Sequence, residues 1–510
     1  DKSEAFTQKE RDIYDKLCSY WGITNNGKYS WQFGSNTRIR AYIYEKIYIT
    51  CAFFVKGFSM SSIFVQPKAS LLIMSCLSLS GVAHAGLFDS YTDTAQSFRS
   101  SLTQPLDTST QELFQKKAKS NDAALYLLEK ARLEQANQQY EASKQTFENA
   151  FTLLDEQNNK ATISASKLGF KALSLVTNDS VSPYKIPEYE QVLAHVYQAI
   201  NYLALNNTEG ASVEMRVAQR IQREIELAHS KEAEKAAAKA QENNAPPAEY
   251  DEALAGLDTI AGRVKNTYQN AYAFYMAATL WEALGEKNDA LVDYKKAYEL
   301  QPNDFIKNDV KRMDAASAKA NAQYPVVIFL EQGLVPQKIS STLAVPTTNG
   351  LVNVSFASYD PATYVAPSQV DVAVNGKTVA NTAVLSDIGA LAVKTLKENI
   401  AANLTTQIAR STAKYAVQKE LGNRLGVFGQ LAGNVYNTAT EKADVRAWNT
   451  LPSNAQVTRL SLPAGSHTIE LKNGYVTQSI NIEVKPNQTT FIRGIETNQQ
   501  IIADSFSIAK

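Results

Sequence analysis

The spacing of apolar residues changes once along this chain, from a helical period to a strand period. From about Gln111 to Asp314 the chain is rich in Ala, Leu, Glu, Lys and Gln with few glycines, and its apolar residues recur every three to four positions. The clearest run is Ala271–Pro302. Phe274, Ala277, Ala278 and Trp281 fall at i, i+3, i+4 and i+7, and Ala290, Tyr294 and Ala297 repeat the spacing. Gly285 supplies a turn between two antiparallel helices, and Pro302 stops the second. Near Tyr324 the period becomes 2, with strands expected over 325–340, 351–359 and 369–379 and turn signals at Asn349-Gly350 and Asn375-Gly376. A helical stretch follows from Ser386 to about Asn437. Strands resume over 456–495, broken at Pro463-Ala464-Gly465 and Lys472-Asn473-Gly474.

The pattern predicts an α+β multidomain protein, with antiparallel helical repeats over 86–320 and a β-rich, antiparallel, sandwich-like domain over 321–510 carrying a helical insertion at 386–437. Residues 230–253 read as a linker, because the helix there is polar all round and ends at Asn243-Asn244-Ala245-Pro246-Pro247. In the helical half, Phe274, Ala278, Trp281, Gly285, Ala290, Tyr294, Ala297 and Pro302 resemble a tetratricopeptide (TPR) repeat, with Ala277-Ala278 replacing the family's Leu-Gly. Weaker copies place Ala199, Tyr202, Ala211, Met215 and Ala218 around an Asn206-Asn207 turn, and Ala131, Phe147 and Ala150 before it. Ala150 and Ala218 stand 68 residues apart, twice the roughly 34-residue period of such arrays. Pro183 and Pro187 interrupt the intervening unit, so the array is irregular.

The first 59 residues differ in character, being rich in Tyr, Lys and Asn without methionine, and read as an upstream extension. Met60 opens a signal peptide over 60–85: Lys68, an apolar stretch from Ala69 to Val82, and Ala83-His84-Ala85 before Gly86 in the small-x-small form of a cleavage site. Ile73-Met74-Ser75-Cys76 is a competing lipidation signal at Cys76. The implied location is the periplasm or the outer membrane, with membrane contact only through the signal or a lipid anchor.

The 51 basic and 51 acidic residues balance and form no stripe, which argues against nucleic acid as a partner. All three cysteines lie at or before Cys76, so the body offers no thiol nucleophile and no cysteine metal ligand. His195 falls on a helical packing face, His229 near a helix end and His467 in a hairpin. None stands at metal-ligand spacing, and no phosphate-binding glycine loop or nucleophile elbow occurs. No catalytic residue, metal site or cofactor is therefore expected. Arg446 and Trp448 are the candidate interaction residues. They either read an anionic or sugar ligand by charge and stacking, or clamp a loop onto the fold by hydrogen bonding and burial.

Three segments, Tyr189–Glu214, Val326–Lys338 and Ala443–Leu462, resemble a family of uncharacterised bacterial envelope proteins with TPR-like helices, often lipoproteins, with Asp444, Arg446, Trp448, Leu451 and Pro452 the most specific match. The resemblance spans roughly residues 86–510 and implies export. The leading expectation is a scaffold or adaptor in envelope assembly, binding peptides or helices of other envelope proteins on the concave face of the helical array. The alternatives are a glycan-binding or glycan-acting module using Arg446 and Trp448, and a purely structural envelope protein.

Overall fold

A computed structural model describes residues 91–164, 183–239, 248–314, 322–347, 350–399, 443–497 and 499–509. Cys76, Ala83, Ala85, Gly86 and the 1–59 extension lie outside these residues, as does most of the 386–437 insertion.

The helices come first: α1 (Tyr91–Ser100), α2 (Thr108–Lys117), α3 (Ala123–Ala136), α4 (Tyr140–Ser164), α5 (Glu188–Ala204), α6 (Thr208–Lys239), α7 (Ala248–Ala261), α8 (Ala271–Leu284), α9 (Lys287–Leu300) and α10 (Asp304–Asp314). The expected 230–253 linker is thus helical at both ends, in α6 and α7. Three antiparallel hairpins, α3/α4, α5/α6 and α8/α9, form the helical layer.

All three hairpins turn in the same way. Gln138, Asn206 and Gly285 each adopt positive φ, at 61°, 58° and 86°. The amide of the following residue, Gln139, Asn207 or Glu286, closes back onto the carbonyl of Glu134, Tyr202 or Trp281 at 2.8 Å. The seams match as well. Ala131, Ala199 and Ala278 on the first helices, and Ala150, Ala218 and Ala297 on the second, are all buried, letting the backbones approach. Phe147, Met215 and Tyr294 fill the space beside them.

The strands are β1 (Gln323–Gln332), β2 (Lys338–Thr347), β3 (Gly350–Tyr359), β4 (Asp371–Val374), β5 (Lys377–Asn381), β6 (Ala383–Asp387), β7 (Asn454–Pro463), β8 (Gly465–Asn473), β9 (Val476–Val484), β10 (Gln488–Thr497) and β11 (Gln500–Ala509). They form a five-stranded sheet in the order β11-β10-β1-β7-β6, a four-stranded sheet in the order β5-β4-β8-β9, and the β2/β3 hairpin. Two expectations are corrected. The segment from Ser386, expected helical, is still strand through Asp387; the helix begins at 388, where Asp387 accepts the amide of Ala390 at 3.0 Å. The larger sheet is not wholly antiparallel, because β1 lies parallel to β10, with Phe329 opposite Arg493. Both strands run buried on two faces, as parallel strands do.

That double burial comes from two layers of partners. Val327 and Phe329 on one face of β1 join an apolar cluster with the helices. Val326, Ile328 and Leu330 on the other face join Val372, Ile469, Leu471 and Val484 of the four-stranded sheet. Each large apolar side chain buried this way contributes about 1.5–3 kcal/mol. The helical and strand-rich halves, expected as separate domains, therefore share one core: Tyr272 and Tyr275 of α8 pack edge-on against Phe329 at 5.8 and 6.1 Å.

The side of the helical layer formed by the first helices is covered by the protein's own sheet. Here α5 and α8 touch β11, and α8 touches β6. An ionic layer crosses the same boundary. Arg132 of α3 pairs with Glu331 of β1, which also accepts the Tyr272 hydroxyl at 3.3 Å. Arg493 of β10 donates to the carbonyl of Gln135 at 3.1 Å and pairs with Asp504 of β11 at 3.2 Å. Farther along, Arg459 of β7 pairs with Glu282 of α8 at 2.8 Å.

Candidate functional site

The segment 443–453, just before β7, has no regular secondary structure, yet most of it is buried. Buried backbone groups must find partners, and here the partners come from both halves of the fold. From the helices, Glu190 of α5 accepts the amide of Trp448 at 3.2 Å, and Glu129 of α3 accepts those of Asn449 at 2.6 Å and Thr450 at 3.1 Å. From the strand half, Lys338 of β2 donates to the carbonyl of Arg446 at 3.1 Å, and Val335, between β1 and β2, donates its amide to that of Leu451 at 3.0 Å. Gly389, in the helix over 388–399, donates to the carbonyl of Ser453 at 2.8 Å.

Trp448 is fully buried. Its ring meets Phe147 and Tyr197 edge-on at 6.2 and 5.8 Å, and its indole nitrogen donates to Thr450 Oγ1 at 3.0 Å. Arg446 forks onto Asp444, Nε to Oδ1 at 2.8 Å and Nη2 to Oδ2 at 2.6 Å, and also bonds Asp122. Burial works against both charges. The Arg446 guanidinium and nearby Lys338 outweigh it at Asp444, whose carboxyl is held below its ordinary range. Arg446 and Trp448 are therefore a clamp. With the indole enclosed and the guanidinium saturated by carboxylates, neither is offered to an outside ligand.

The carboxylates that hold this segment are two acids that composition and motif do not single out. Burial pushes the carboxyls of Glu129 and Glu190 up to about 7 each, against the opposing pull of their hydrogen bonds. Glu129 also receives the Thr450 hydroxyl at 2.6 Å and lies 3.0 Å from the hydroxyl of Tyr91. Glu190 receives the hydroxyls of Tyr184 at 2.9 Å and Tyr189 at 3.2 Å. A signal existed in the sequence. Glu129 and Arg132 interrupt the apolar run Leu125, Leu128, Leu133 on α3, and an ionised residue on an apolar stripe calls for a partner.

The remaining expected residues are dispersed. Phe274, Ala278, Trp281, Ala290, Tyr294 and Ala297 are buried in the α8/α9 seam, while Pro302 is exposed after α9. His195 is 2.6 Å from Glu214 and stacked on Phe151. His229 is 3.3 Å from Glu188 and stacked on Tyr268, and His467 contacts the carbonyl of Pro463 at 2.9 Å. Among the described residues, no three His, Cys, Asp or Glu side chains gather into a metal-binding group.

One groove opens at the start of the helical layer, between α2, α3 and the α3–α4 turn, with a volume of about 500 Å³. Leu106, Phe114 and Leu127 give it an apolar part, the exposed Gln111, Gln115 and Gln139 a carboxamide part, and the ion pair of Lys130 with Glu134 a charged one. No helix among the described residues is long and apolar enough to cross a membrane. No protein-family model, curated protein or solved structure matches the chain.

Proposed function

We propose that this protein is an exported, non-catalytic scaffold of the bacterial cell envelope, whose TPR-like hairpins present a binding surface to another protein. The observation that carries the reading is the groove beside α2 and α3, a concave opening that combines apolar, carboxamide and ion-paired lining residues. The recurrence of one turn and one small-residue seam in three hairpins supports the repeat assignment. The side formed by the first helices is filled by β1, β10, β11 and the 443–453 segment, which leaves the groove beside α2 and α3 as the opening offered to an incoming chain. Export rests on the signal-like segment 60–85. The glycan reading relied on Arg446 and Trp448, whose enclosure removes its support.

The test is a photo-crosslinking residue placed at Gln115 in the groove, with Thr477 on β9 as control, in cells that make the protein. A single envelope protein joined at one discrete segment through Gln115, and lost when Leu127→Arg charges the apolar part of the groove in a still-folded protein, is the expected result. Identical adducts at both positions, or none at Gln115, would sink the scaffold reading.

A further inference from the structure

We propose that the groove beside α2 takes an extended strand of the partner, mostly uncharged, with its main chain bonded by Gln111 and Gln115 and one acidic side chain paired with Lys119. The inference rests on the scaffold reading of this groove and names the chemistry of what enters it.

The lining selects for neutral side chains. Lys130 and Glu134 are ion-paired, and both also bond the hydroxyl of Thr146. Beside them stand Leu106, Phe114 and Leu127. A charge brought among these groups loses water and gains no partner.

The spacing on α2 selects for extended backbone. Gln111 and Gln115, four residues apart in the helix, stand about 6 Å apart along its axis. An extended strand turns the N–H and C=O of every second residue to the same edge, a repeat of about 6.6 Å. A strand lying along α2 thus meets one carboxamide at each of two successive repeats. Gln111 donates to the carbonyl of Leu106 at 3.2 Å, which leaves its oxygen open to an N–H. Among the described residues nothing bonds the Gln115 side chain, so it offers a donor and an acceptor. Alternate side chains of such a strand turn to Leu106, Phe114 and Leu127. A helical occupant would leave the carboxamides idle, because its peptide groups are bonded within the helix.

Charge complementarity places the acid. Lys119 continues the row Gln111, Gln115 by four more positions, since the backbone at Ala118 is still right-handed helical at φ −58°, ψ −18°. It is exposed and makes no ion pair among the described residues. Glu112 and Lys116, one position round the helix, are opposite in sign and four apart. The row from Gln111 to Lys119 is about 12 Å long, room for about four strand residues, so the carboxylate belongs at one end of a short neutral stretch.

The experiment is fluorescence anisotropy of the purified, intact protein with a labelled nine-residue peptide of alternating threonine and valine, capped at both termini and made with a single aspartate near one end or the other. Saturable binding of one of the two is expected. Methylating its main-chain nitrogens should weaken binding about tenfold or more, and Gln111→Leu with Gln115→Leu should do the same. In Lys119→Glu the preference should reverse, lysine in place of the aspartate binding better. No saturable binding, indifference to methylation or to the leucine pair, an aspartate preference that survives Lys119→Glu, or equal binding of an alanine-rich helical peptide of the same charge overturns the inference. The methylation arm needs no variant, so a variant that fails to fold leaves the outcome decided. The crosslink at Gln115 judges the scaffold separately: an adduct on a helical or highly charged segment keeps the scaffold and sinks the strand, whereas peptide binding without any adduct sinks the scaffold alone.

Discussion

Gly210 lies flat against the ring of Tyr202, so close that a β-carbon added to it would stand 2.6 Å from Cδ1. The contact fixes how α6 starts alongside the end of α5, beside an Asn207 side chain that accepts the Gly210 amide at 2.8 Å. Gly210→Ala should destabilise the protein by about 1–3 kcal/mol, because the ring must move and its neighbours in the seam with it. Urea unfolding measures the loss; a change under a few tenths of a kcal/mol would show that the seam yields freely.

The 443–453 clamp predicts stability effects in place of binding effects. Trp448→Ala should cost about 3–5 kcal/mol through lost ring packing. Arg446→Ala should cost less, about 1–3 kcal/mol, because Asp444 retains Lys338 nearby and some water. Retention of either folded variant on purified peptidoglycan should equal that of the wild type. Selective loss of retention with unchanged unfolding would restore the glycan reading.

Arg132 and Glu331 form a buried pair in the helix–sheet boundary, and such pairs punish the loss of one partner more than the loss of both. Arg132→Met and Glu331→Gln should each lower stability by about 3–5 kcal/mol, and the double variant by less than the sum. A double-mutant cycle by denaturant unfolding checks this. Strict additivity would mean that the two side chains act independently.

Stability should fall as pH rises from about 4 towards 7. Burial lifts the carboxyl of Asp504 to about 7 and that of Asp293 to about 6. Each folded-state value lies above the unfolded one, so the native protein binds more protons within that window and loses stability as they leave. Glu282 acts oppositely. Burial opposes its charge, but Arg459 and Arg312 hold it down at about 2, so its contribution is lost as pH drops below the ordinary carboxyl range. The melting temperature should therefore peak on the acid side of neutrality, and Asp504→Asn should flatten the alkaline limb. A peak above pH 8 contradicts the assignment.

Local physics made the hairpins readable. Ala278, Trp281, Ala290 and Tyr294 sit at helical spacing because the seam demands it, and Gly285 marks its turn because glycine adopts positive φ without strain. The other two turns use Gln138 and Asn206 in the same geometry, and their weaker residue signal matches their weaker legibility. Asn375-Gly376 likewise announced the β4/β5 turn, both residues having positive φ. Distant pairings were not readable. Nothing near Phe329 indicates that Arg493 will lie beside it in a parallel strand, and β11 passed unnoticed because Asp504 and two serines dilute its apolar alternation. Arg446 and Trp448 stood out by residue type; of the two acids that hold the same segment, Glu129 is marked only by its place on an apolar stripe, and Glu190 looks like an ordinary helical glutamate until the opposing segment is in place.

The central position of β1 also sets an order of assembly. The strand ends at Gln332, but its two neighbours, β7 and β10, begin only at Asn454 and Gln488. A chain made from its N-terminus thus produces the helical layer long before the sheet that covers it can exist. Through that interval Tyr272, Tyr275 and the Arg132 side of α3 lie bare, an adhesive surface of the sort that folding helpers shield. Truncation anywhere before β10 should accordingly yield a protein that sticks to such helpers or aggregates, in contrast to a shorter, self-sufficient helical domain.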